Sequence, residues 1–125
     1  TMPLEDELTA AAAKGDTAQV RLLLGAGAQV NGVNRFGRTA LQVMMMGSTS
    51  VAQVLLDHAA DPNVADRSTG ARPLHDAARS GFLDTVRLLV LFGANPDTRD
   101  QWDRRPVDLA RDEGHTDVVA FMESL

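Results

Sequence analysis

A chain of 125 residues with 44% hydrophobic side chains is long enough for one compact domain or a short repeat array. Aromatics make up only 4%, which leaves the core to Leu, Val, Ala and Met, and a formal net charge of -5 argues against the basic surface that nucleic acid requires. The lack of cysteine rules out disulfides and thiolate metal sites, and no run approaches the roughly 18 apolar residues that read as a membrane span.

Thr1 ahead of Met2 reads as a cloning remnant, and no signal peptide is visible. A first helix is predicted through Ala10-Ala11-Ala12-Ala13 up to Gly15. Asp16 then opens a second helix containing Val20-Arg21-Leu22-Leu23-Leu24, which Gly27 closes by taking the left-handed conformation without strain. The same two-helix pattern returns along the chain. Thr39-Ala40-Leu41-Gln42, Arg72-Pro73-Leu74-His75 and Arg105-Pro106-Val107-Asp108 follow one another at steps of 33 residues. Val86-Arg87-Leu88-Leu89-Val90 before Gly93 repeats the Val20 segment in the same phase. Pro73 and Pro106 stand where a first helix begins, Gly81 and Gly114 separate paired helices, and Asp84 and Asp117 lie near the starts of second helices. Ala59 holds the place of the closing glycine in the second unit. The period and the Thr-Pro-Leu-His-like element are those of ankyrin repeats. The expected fold is therefore an all-α ankyrin-repeat solenoid of four helix-turn-helix units with extended hairpin-like loops. One domain spans 1–125, with repeats at roughly 5–33, 34–65, 66–99 and 100–125. One unit cannot cover its own apolar face, so Leu22, Leu23, Leu55, Leu56, Leu88 and Leu89 are expected to form a shared core.

The array departs from its own period in two places. Gly47 arrives eight residues after Thr39, whereas Gly81 arrives nine after Arg72, which predicts a first helix in unit two cut to about a single turn. The extra residue of unit three falls in the loop Asp66–Ala71. Met44 and Met45 take slots that Ala77 and Ala78 fill in unit three. They either plug the gap left by the shortened helix or serve a partner. Val43 and Met46 correspond to Asp76 and Arg79, on the helix face that ankyrin arrays turn toward a concave groove. Apolar residues there would form an exposed patch of the kind that marks partner sites. Asp76 is read as lying inside a helix, where a carboxylate gains nothing locally and is free to accept a partner arginine. Asp84 is read as a cap, and Phe36 and Trp102 as matching loop tips that pack on the adjacent loop or anchor an interface. His58, His75 and His115 fit no zinc spacing, His75 being the motif histidine that bonds neighbouring loop backbone. No phosphate loop or nucleophile elbow occurs, so neither an enzyme nor a cofactor or metal is expected.

The departures carry a more specific resemblance. Arg35-Phe36-Gly37-Arg38-Thr39-Ala40-Leu41-Gln42-Val43-Met44-Met45-Met46-Gly47-Ser48 is similar to the second repeat of the ankyrin-type inhibitors of cyclin-dependent kinases. His75-Asp76-Ala77-Ala78-Arg79-Ser80-Gly81-Phe82-Leu83-Asp84-Thr85 resembles that family's third repeat. Four repeats, with Trp102 in the Asp100–Ala110 segment, suit its shorter members. The resemblance implies binding to cyclin-dependent kinases four and six beside the ATP cleft, opposite the cyclin. The implied consequences are a distorted ATP site, disfavoured docking of D-type cyclins and arrest in G1. It further implies that Asp76 pairs with a kinase arginine while Asp66 and Asp84 add polar contacts. Phe36, Val43, Met44, Met45 and Met46 would pack near the cleft. Arg79 shares the inner face, and Phe82 supports the following helix. A monomer of cytoplasm and nucleus is expected, without nucleic-acid or membrane partners. The competing reading is an ankyrin adaptor for a different protein.

Overall fold

The computed structural model describes all 125 residues and contains eight α-helices and no strand. The helices are α1 (Leu4–Lys14), α2 (Thr17–Gly25), α3 (Ala40–Val43), α4 (Thr49–Asp57), α5 (Pro73–Ser80), α6 (Leu83–Leu91), α7 (Pro106–Asp112) and α8 (Thr116–Glu123). One pair falls in each expected repeat, as an all-α ankyrin array requires. The chain divides into two compact units, residues 1–61 and 62–125, each containing two pairs.

Local chemistry explains where the helices begin and end. The motif slot held by Gln42, His75 and Asp108 is the third residue of α3, α5 and α7. There each side chain reaches back to the N–H of the residue before the helix. Gln42 Oε1 accepts from Thr39 at 2.7 Å, His75 Nδ1 from Arg72 at 3.0 Å and Asp108 Oδ2 from Arg105 at 2.8 Å. Each bond satisfies a donor that the first turn leaves orphaned. The second helices α2, α4 and α6 end in one shared geometry. The residue at 27, 59 or 93 turns left-handed, and the next N–H returns to the carbonyl of Leu23, Leu55 or Leu89. Ala59 does this at φ 67, so the cap forms there without glycine.

In residues 1–61 the core is built on Leu8, Val20, Leu23, Leu41, Val51 and Leu55, and in residues 62–125 on Leu74, Val86, Leu89, Leu109 and Val118. Small residues at Ala11, Ala12, Ala77, Ala78 and Ala110 let neighbouring helices approach closely. Leu22 corrects the expected core list, being 65% exposed. Helical geometry places Val20 and Leu23 on one stripe and turns Leu22 well away from it.

Helix α3 has four residues, the single turn that the missing residue predicted. At Met44 the backbone leaves the helix with ψ 153, and the next N–H, of Met45, donates to Ala12 O at 2.9 Å. The truncated helix thereby brings a second donor to Ala12 O, which already accepts from Gly15 N in the turn that ends α1. Met44 is itself only 3% exposed.

Candidate functional site

Residues 62–125 contain a cleft of about 630 Å³ between α5, α7 and the loops that precede them. Its walls carry Asp66, Asp76, Asp112 and Glu113 against Arg79, with Trp102 and the Asp100–Arg104 pair beside them. Five carboxylates against two arginines make this a negatively charged recess suited to a cationic side chain.

Asp76 is the informative member. It lies within α5, as the sequence suggested, but in its first turn, where the positive end of the helix dipole gives its charge a local benefit that was not expected. Burial nevertheless wins. Desolvation, with Asp66 adding to it and Arg79 opposing it, pushes the carboxyl up to about 6. No hydrogen bond or ion pair within the chain engages the carboxylate. Asp100 shows what a satisfied neighbour looks like. Burial alone would raise it. Instead, hydrogen bonds from the N–H groups of Arg104 and Trp102, and from the Arg104 guanidinium at 2.9 Å, hold it below its ordinary value. Asp66 is half-buried and spends one oxygen on the N–H groups of Ser68 and Thr69, at 2.8 and 3.2 Å, which shapes the loop edge of the cleft.

Residues 1–61 hold a smaller recess of about 220 Å³ lined by Met2, Ala10, Ala13, Arg35, Phe36 and Val43, among others. Phe36 is 65% exposed at its loop tip, with the Arg35 guanidinium 5.1 Å from the ring centroid. Trp102 at the matching tip is 57% exposed under Arg104, also at 5.1 Å. Both rings thus carry an arginine of their own loop and leave most of their surface open, where packing onto the adjacent loop was the plainer expectation.

The structure gathers Asp66, Asp76 and Arg79 into one cleft and Phe36 and Val43 into one apolar recess. Met44 is removed from the candidate surface, because its side chain fills the space where α3 stops short. Met45 is 48% exposed and lies against the α1–α2 turn, its sulfur 2.9 Å from where a Cβ on Gly15 would stand. Met46 is half-buried. Phe82 takes the N-cap position of α6, partly exposed, and makes no capping bond. Asp84 is exposed at the second residue of α6, so it caps nothing, and it does not line the cleft. Asp112 and Glu113 were missed. Their signal was available: two acids end α7, where the helix dipole disfavours negative charge, in the slots of Arg79 and Ser80.

Residues 8–100 match the family model for ankyrin repeats in three copies. The chain is 57% identical to cyclin-dependent kinase 4 inhibitor B of Homo sapiens over 120 residues, 96% of this chain and 87% of the relative. It is 55% identical to the Rattus norvegicus protein of the same name over 94% of this chain and 90% of the relative. Cyclin-dependent kinase inhibitor 2A of Homo sapiens is 53% identical over 98% of this chain and 78% of the relative.

Proposed function

The chain belongs to the ankyrin-type family of cyclin-dependent kinase inhibitors, regulatory binding proteins and not enzymes, and from that membership we propose that it inhibits cyclin-dependent kinases four and six. In this reading it docks as a monomer beside the ATP cleft, opposite the cyclin. Its preference for the inactive lobe arrangement supplies the free energy that distorts the ATP site and disfavours D-type cyclins. Arrest in G1 is the cellular consequence, with action in cytoplasm and nucleus.

The observation that carries the proposal is Asp76, a half-buried carboxylate without a partner, facing a negatively charged cleft. Free in solution, it bears a desolvation cost that Arg79 offsets only in part. A kinase guanidinium placed there would supply two parallel charge-assisted hydrogen bonds and convert that cost into affinity. Asp66, Arg79 and the exposed Asp84 add polar contacts around it. Phe36, Val43, Met45 and Met46 contribute apolar surface from the other unit.

Titration of kinase four or six by calorimetry tests this. Tight binding to the wild-type chain is expected, falling about 100-fold or more with Asp76→Arg, which places two like charges in one recess. Affinity unchanged by that reversal removes Asp76 from the interface. No binding to either kinase removes the function.

A further inference from the structure

The four turns between paired helices treat one slot differently. Asp16 and Ser48 cap the helix they precede, accepting from Gln19 and Val51. Phe82 makes no capping bond. His115 also makes none and instead crosses to the neighbouring pair, where its Nε2 lies 2.8 Å from Arg79 O. Carbonyl oxygen only accepts, so Nε2 carries the proton. The ring lies flat against Gly81. A Cβ there would stand 2.5 to 2.8 Å from Nδ1, Cε1 and Cγ, and Gly81 already needs φ +78. The glycine therefore serves twice, ending α5 and admitting the imidazole.

Helix α5 is only eight residues long, and its other end is tied to the same fourth repeat. Fully buried His75 accepts from Arg72 N and donates through Nε2 to Arg104 O at 2.8 Å. Asp76 sits between the two ties, with one histidine bond before it and another one turn after it. A helix this short has little stability of its own, so tertiary anchors decide its position.

We infer that His115 is a positioning residue for partner binding: without touching the kinase, it holds the last turn of α5 so that Asp76 faces the cleft in a fixed attitude. This rests on the reading of Asp76 as the kinase contact. The fourth repeat then contributes to affinity by fixing the third. That explains why a polar ring occupies a turn slot whose counterparts serve their own helices or nothing.

Nitrogen-15 NMR of the full chain reads the bond directly. The neutral His115 ring is expected as the Nε2–H tautomer, and an Nδ1–H tautomer overturns the inference. In His115→Ala the titration midpoint of the Asp76 carboxyl is expected to move, and the kinase Kd to rise about three- to tenfold. His115→Gln keeps a donor of similar reach and is expected to restore both. His115→Asn keeps the amide but falls short of Arg79 O, so it should behave as alanine does and stands in for it if alanine does not fold. A purely structural histidine would lower the unfolding midpoint and leave the Asp76 titration where it was, and that result overturns the inference. If wild-type chain binds neither kinase, the proposed function fails, while the Asp76 midpoint in the variants still decides this point.

Discussion

Helices α3 and α5 occupy the same place in the repeat, and the one-residue difference before their closing glycines separates their fates. Val43 and Asp76 are both half-buried, and Met44 and Ala77 are both buried. At the third slot they part: Ala78 is fully buried while Met45 is 48% exposed. Helix α5 continues through this slot for another turn. Helix α3 has ended, so the chain swings out and Met45 comes to lie over Gly15. The deletion does not disorder the unit. It trades helical hydrogen bonds for the Met45–Ala12 bond and replaces one alanine in the core by methionine, whose flexible thioether fills an irregular space. In α5 the same face is used in the opposite sense, presenting a carboxylate that the fold leaves unpartnered. One region resolves its irregularity internally, whereas the other keeps a carboxylate whose desolvation the fold only partly offsets.

The largest effect that would break this comparison is at Met44. Met44→Ala removes a buried side chain where the truncated helix leaves nothing to collapse into, at a cost of about 2–5 kcal/mol. Met45→Ala, half in solvent, should cost less than about 1 kcal/mol. Urea unfolding of the two variants checks the order. Equal losses would mean that Met44 is not the residue that fills the gap.

Asp76→Asn comes next and should have the opposite sign. The folded carboxyl titrates near 6 against an ordinary value of 3.8, so the folded chain binds more protons than the unfolded chain between those limits. Stability therefore falls as pH rises from about 4 to 6. Asparagine never acquires that charge, so the free protein should gain about 2–3 kcal/mol at pH 7 and several degrees in Tm. The same variant should bind kinase more weakly, the exchange of stability for function expected of a binding residue. Thermal unfolding across pH 4–7 checks the slope. Asp100 and Asp108 lie below the ordinary value, so their contributions are present at neutral pH and lost only as pH falls through the carboxylate range. That acid limb should survive in the variant while the fall from pH 4 to 6 disappears.

The period, helix pairing and shortened α3 were legible in the sequence because turn residues and helix starts are local chemistry. Pro73, Gly81 and the reach-back slot of Gln42, His75 and Asp108 act within three or four residues of themselves. Three consecutive leucines at 22–24 were not so easily sorted, since only helical phase decides which one turns outward, and phase depends on where the helix packs. For Met44 the sequence left two roles open, gap filler or partner contact, and the departure of the backbone at its own ψ decides for the first by sending it inward. The cleft was half legible. Asp76 stood out as an acid without local benefit, but its companions Asp112 and Glu113 are distant in sequence and meet it only through the pairing of α5 with α7.

The smallest effect sharpens the comparison at the ends of the second helices. Residues 27, 59 and 93 make the same returning hydrogen bonds, yet Gly27 and Gly93 sit at φ 102 and 98 while Ala59 sits at φ 67. Only the last value lies within the small left-handed region that a Cβ tolerates, so alanine has pulled its turn back from the geometry that glycine prefers. The bonds to Leu55 and Leu56 survive at 3.0 Å, which shows that the cap absorbs this change without breaking. Ala59→Gly should then relieve about 1 kcal/mol of left-handed strain, less the greater freedom that glycine gives the unfolded chain. A net gain of about 0.5 kcal/mol in chemical unfolding is expected, with kinase affinity unchanged. A loss of stability instead would mean that the alanine methyl group makes a contact worth more than its strained backbone costs.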